Sequence, residues 1–169
     1  MKFDLIVKQL SNNKLVFENM LANVSEEQAR WKPSPSRWSL LEVMNHLYDL
    51  EKEDFRKKLD MVLYKPGIPW SSIDVLNWVS SRAYNKKPVL QSYKNLLNER
   101  VQSINWLNSL RSPNWDSEYK GTRRMRAGDL LYSWAAHDFI HIKQMADLLY
   151  EYMGKTLEDY SIEYAGTLD

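Results

Sequence analysis

Apolar residues along this chain recur at helical rather than strand intervals. Phe3, Ile6, Leu10, Phe17 and Leu21 fall on one face of a segment with no Gly or Pro, which predicts a first helix over residues 2–23. Ser25 and Gln28 then form a capping box for a short turn of helix, SEEQAR. Pro33 and Pro35 force the stretch 31–37 into an extended loop. Ser39 with Glu42 is a second capping box, opening a helix that runs to about Leu63 and stops before Lys65-Pro66-Gly67. Residues 68–72 read as loop. Ile73, Leu76 and Val79 predict a short helix over 73–84.

Pro88 suits the first turn of a third long helix, 87–110, whose apolar set is Leu90, Tyr93, Leu97, Ile104 and Leu107. A polar connection follows over 111–126, long enough to invite a functional role. A fourth long helix covers about 127–152 and ends before Gly154, with room for one more turn in the tail. Four long helices and one short extra helix predict an all-α, up-and-down four-helix bundle. All 169 residues form one domain, without repeats or linkers.

Composition narrows the function. Only 11 residues are Gly or Pro, while Leu numbers 22 against 19 for Val, Ile and Thr together, which favours helices over a sandwich or a Gly-rich nucleotide fold. Twenty-three basic residues balance 22 acidic ones, so there is no basic field for nucleic acid. No apolar run approaches the length that spans a membrane. Asp4 and Lys8 interrupt the N-terminal apolar run, which is unlike a signal or transit peptide. The absence of cysteine excludes thiolate chemistry by the chain itself and suits a reducing cytosol.

The three histidines are where chemistry concentrates. His137 and His141 are four apart on the fourth helix, about 40° apart around it, a spacing at which two imidazoles can share a metal. Leu130, Trp134, Gln144 and Leu148 share their face, so the pair points into the bundle. His46 lies at the edge of the second helix's apolar stripe, where a bundle could bring it to the pair. Two readings stand at this point: an open three-imidazole metal site, or buried histidines that need other hydrogen-bond partners.

Two strings then carry a resemblance. WSLLEVMNHLYDLE, with Trp38, Ser39, Glu42, His46, Leu47 and Glu51, resembles the second-helix motif of DinB-like proteins. HDFIHIKQ, with His137, Asp138, His141 and Gln144, resembles their H-D-x-x-H-x-x-Q motif on the last long helix. The likeness spans about residues 1–153. It implies a divalent metal, commonly zinc or nickel, bound by His46, His137 and His141. It also implies membership of a group that includes S-transferases and isomerases using low-molecular-weight thiols, along with metal-dependent hydrolases. Homodimers are implied too, and seven Trp and ten Tyr are consistent with such an interface.

Several neighbours become candidates. Glu42, about 40° from His46, could serve as general base or orient a ligand, although it is also its helix's capping-box residue. As a fourth ligand it would plug the site and favour a non-catalytic metal-binding bundle. Gln144 and Trp134 are candidate substrate contacts, with Trp31, Trp38, Trp70 and Trp78 as further possible pocket walls. Asp49 and Glu53 read as solvated or ion-paired, and Asp138 as a scaffold residue. Arg123, Arg124 and Arg126 could bind an anion, but roughly 15–20 Å along the helix from His137. The leading expectation is transfer of a small thiol to an electrophilic small molecule. Metal-activated hydrolysis is the alternative.

Overall fold

The structure is a computed structural model that describes residues 2–121, 124–157, 160–161 and 163–166. The described residues form six helices, α1 (Lys2–Leu21), α2 (Glu26–Arg30), α3 (40–64), α4 (Val75–Ser81), α5 (Val89–Ser109) and α6 (Ala127–Thr156). Short 3-10 turns cover Tyr84–Lys86 and Glu163–Ala165. Among the described residues the only extended pairing is one bridge, Glu118 with Arg126. Among the described residues no helix is long and apolar enough to cross a membrane.

Four of these helices make the expected all-α bundle, but the chain does not alternate strictly up and down. Asn45 meets Ser92 and Arg56 meets Ser103, so α3 and α5 run parallel. Phe3 meets Tyr132 and Asn13 meets Asp138, so α1 and α6 are also parallel. His46 faces His141 and Phe55 faces Trp134, so α3 and α6 are antiparallel. The path is therefore up, down, down, up. Helices α1 and α3 each pack on both α5 and α6, which places α1 and α3 on one diagonal. Two parallel neighbours need a connection that travels the length of the bundle. Residues 65–88, carrying α4, are that crossover.

Element ends follow local chemistry. Ser39 and Glu42 form the anticipated capping box at the start of α3. The 73–84 segment is shorter than its pattern suggests: Asp74 caps α4, and the helix ends at Ser81, because Ala83 adopts a left-handed backbone. Pro88 is the cap of α5 rather than part of its first turn. Helix α6 continues through Gly154 to Thr156, since one Gly costs a helix only about 1 kcal/mol.

Within α3, residues Glu51–Phe55 form a π-turn. Nine regular residues would put Phe55 about half a turn from His46. The wider turn absorbs one residue, rotating Phe55 to within about 80° of the His46 face. Phe55 consequently packs on both Trp134 and His137.

The core is divided. One apolar cluster gathers Phe17, Leu41, Met44, Leu96 and Met145 at the end where α3 begins. A second gathers Leu10, Leu59, Leu107, Leu131 and Trp134 at the opposite end. Between them lies a buried polar layer to which all four long helices contribute. Arg100, 1% exposed, donates to both oxygens of Glu51 at 2.7 and 2.8 Å and to both of Asp138 at 2.6 and 2.8 Å. It also reaches the Leu10 carbonyl at 3.3 Å. Asn13 donates to Asp138 at 2.9 Å, and the Trp134 indole donates to Glu51 at 3.3 Å. Burial disfavours the guanidinium charge, but the Glu51 and Asp138 carboxylates more than offset this and raise the Arg100 pKa. The π-turn begins at Glu51, its contribution to this layer.

Candidate metal centre

The bundle brings all three histidines together. Their ring centroids lie 4.4 Å apart for His137–His141, 4.9 Å for His46–His141 and 5.6 Å for His46–His137. One nitrogen from each lies within 4.8 Å of the other two. The His137 and His141 Nε2 atoms are 3.2 Å apart. Two nitrogens bound at 2.0–2.1 Å to one tetrahedral ion would lie about 3.3 Å apart, so this pair is already at ligand spacing.

Hydrogen bonding fits the same purpose. The Gln144 side-chain oxygen lies 2.7 Å from His141 Nδ1. An amide oxygen only accepts, so Nδ1 carries the proton and the Nε2 lone pair is left facing the cluster. His46 Nδ1 is buried with no hydrogen-bond partner among the described residues. An orphaned buried polar atom costs roughly 1–3 kcal/mol unless something bonds it. A cation shared by three imidazoles fits this donor set.

The electrostatics keep the donors neutral. Burial, reinforced by His141 and His137, pushes the His46 pKa down to about 3. Burial and His141 push His137 down to about 4, against the opposing pull of Asp138. Burial lowers His141, opposed by its bond to Gln144 and by Asp138. Neutral imidazoles present lone pairs, the state a metal needs.

His137 is the half-buried member of the trio, and His141 borders a cavity. A cavity of about 390 Å³ is walled by Ser36, Arg37, Trp38, His141, Gln144 and Leu148. Trp38 is the aromatic shared by the site and this cavity, with its ring 4.7 Å from His46 and parallel to His141 at 6.4 Å. The end of the 31–39 loop that carries it is anchored by Ser39, which donates to Asn85 at 2.8 Å.

The other candidates are placed elsewhere. Glu42 accepts from the Ser39 backbone N–H at 2.8 Å and pairs with Lys32 at 3.1 Å, so its carboxylate secures the helix start and does not plug the histidine cluster. Trp134 is 1% exposed and offers no surface to a substrate, because Phe55 stands between it and His137. Asp49 accepts from Arg82 and the Tyr84 hydroxyl, and Glu53 from Arg82, which ties the crossover to α3. Asp138 belongs to the polar layer, as its scaffold reading anticipates. Trp31 packs on Tyr152, Trp70 stacks on Tyr119 and Trp78 lies under Arg82, all away from the histidines. Arg124 pairs with Glu118, and Arg126 with Asp129 and Asp116, and neither lines the cavity beside His141. Arg123 lies outside the described residues.

Phe55, Arg37 and the partners of Asp138 in the polar layer escape sequence reasoning. Only the i+4 spacing of Glu51 and Phe55 hinted at a shared face, and the π-turn alters that arithmetic.

Comparisons with known proteins agree with this architecture. YfiT from Bacillus subtilis, a protein described as a probable metal-dependent hydrolase with an unusual four-helix bundle topology, superposes with a TM-score of 0.77. The match has 14% identity and covers 90% of this chain and 87% of that one, so it shows a common fold. No curated protein matches the sequence. Residues 9–145 match the DinB superfamily, and the chain belongs to that superfamily.

Proposed function

We propose that this protein is a divalent-metal-dependent transferase that moves a low-molecular-weight thiol onto an electrophilic small molecule. In this reading His46, His137 and His141 hold zinc or nickel. The observation that carries it is the convergence of three neutral imidazoles beside an open cavity. Bound there, the ion would act as a Lewis acid and lower the pKa of a thiol or water taking its free position.

The protein's own groups have narrower tasks. Gln144 fixes the His141 tautomer. Trp38 and Leu148 give the cavity apolar walls, which strengthen electrostatic interactions within it. Glu42, Asp49 and Asp138 are each engaged by cations or donors of the fold, so none is assigned as a general base. Thiol transfer asks least of such a site, because the nucleophile loses its proton on binding the cation. A chain without cysteine takes its sulfur from a cosubstrate.

The second reading is a metal-dependent hydrolase with the same ligands, favoured by the description of the Bacillus subtilis protein. The same proposal includes a homodimer in the cytosol. Tyr132 and Phe139, seven residues apart on one face of α6, are both exposed, a pattern that suits a partner helix.

Zinc- or nickel-loaded protein should be assayed with 1-chloro-2,4-dinitrobenzene plus thiols, and separately with p-nitrophenyl acetate without thiol. Thiol-dependent arylation that chelation and His141→Ala both abolish is the expected result. Ester turnover without thiol, lost in the same controls, assigns the hydrolase instead.

A further inference from the structure

The inference here rests on the thiol-transfer reading and concerns what else the thiol carries. We propose that Arg37 and Glu151 form a displaceable ionic latch at the cavity mouth, which reads a carboxylate on the incoming thiol.

Arg37 differs from the other arginines near the bundle core. The Arg100 fork is saturated by two buried carboxylates, and Arg82 is held by Asp49 and Glu53. Among the described residues Arg37 makes one ion pair, from Nη1 to Glu151 at 2.7 Å, with side-chain exposures of 45% and 33%. A guanidinium has five donors, so most of its capacity faces outward. An exposed pair of this kind contributes at most about 1 kcal/mol, so exchanging one carboxylate for another costs little.

The surroundings point the exchange into the cavity. Arg37 is part of its wall, beside Ser36, Trp38 and Gln144. Gln144 uses its oxygen on His141, which leaves its NH₂ end as a donor. The Ser36 hydroxyl shares a contact with Ser34 at 3.2 Å. The acidic groups around Arg37 are Glu151 and Asp147, and Asp147 is paired with Lys143 at 3.0 Å. The cavity wall therefore carries the Arg37 cation, donors at Ser36 and Gln144, the His141 ring, and apolar surface from Trp38 and Leu148. A short ligand with sulfur at one end and a carboxylate at the other matches this arrangement.

Two thiols differing mainly in that one group provide the test. Protein loaded with Co²⁺ is titrated with 3-mercaptopropionate and with 2-mercaptoethanol, and binding is read from the sulfur-to-cobalt charge-transfer band. Wild type should bind the carboxylate thiol about threefold more tightly. Arg37→Gln should erase that preference while leaving 2-mercaptoethanol binding unchanged. Glu151→Gln should widen it, because the competing carboxylate is gone. Both variants should keep the wild-type Co²⁺ stoichiometry, which verifies that fold and ligands are intact. Equal affinities in wild type, or a preference that survives Arg37→Gln, overturn the latch and leave the thiol reading standing. No charge-transfer band with either thiol overturns the thiol reading, and the latch with it.

Discussion

Arg100→Met removes the one cation of the buried polar layer and keeps a side chain of similar length. In the native protein the guanidinium makes four charge-assisted bonds of 2.6–2.8 Å to Glu51 and Asp138, with essentially no access to water. Without it, two carboxylates remain buried between the apolar clusters, compensated only by Asn13 and the Trp134 indole. Stranding a buried charge by removing its partner costs about 3–5 kcal/mol. A domain has about 5–15 kcal/mol of stability, so the loss is a large share of the total. With a urea slope of about 2 kcal/mol per molar, the midpoint should fall by roughly 2 M. Urea unfolding of metal-free protein, followed by far-UV circular dichroism, measures this. The triple variant Arg100→Met, Glu51→Gln, Asp138→Asn removes the charges together and should recover most of the loss. A midpoint shift below about 0.5 M in the single variant, or a triple variant no better than the single, would refute the electrostatic account of this layer.

Three further outcomes follow from the site. The folded-state values of His46 and His137 lie near 3 and 4, below the ordinary value of about 6.5. The unfolded chain therefore binds more protons between these limits, so metal-free protein should hold full stability above pH 6.5 and lose it progressively as pH falls toward 4. Urea midpoints across that range check this, and His46→Gln should flatten the dependence. Glu42→Ala should cost about 1–2 kcal/mol through the lost cap and the Lys32 pair, with metal stoichiometry unchanged. Loss of metal in that variant would restore Glu42 to the site. Gln144→Ala should weaken metal affinity about 10- to 100-fold in a competition titration with a chelator, because His141 loses the partner that fixes its tautomer.

The parts of this protein legible in its sequence are those that local chemistry decides. The capping box of Ser39 and Glu42, the Pro-bounded loop and the i,i+4 histidine pair each depend on residues within one or two turns. They appear in the structure where the pattern puts them. Connectivity was not legible in this way. Alternating helices and parallel neighbours have the same amphipathic patterns, and only the length of the 65–88 connection distinguishes them. The polar layer was only partly legible: Asp138 read as a scaffold residue, but its partner Arg100 and the second carboxylate, Glu51, are far away in sequence and nothing local pairs them. Trp134 was misplaced for a related reason. Its helical angle puts it on the histidine face, but the π-turn swings Phe55 between it and His137, and no angular count on α6 alone contains that information.

The most direct test of the central claim is metal content. Protein purified without a His tag or chelator, with His46→Ala, His137→Ala and His141→Ala prepared in parallel, is analysed by inductively coupled plasma mass spectrometry. Wild type should carry close to one divalent ion per chain, or take one up on titration, and each variant should lose it while remaining helical. Wild type that neither holds nor takes up an ion, or variants that retain it in full, would contradict a centre built from these three histidines.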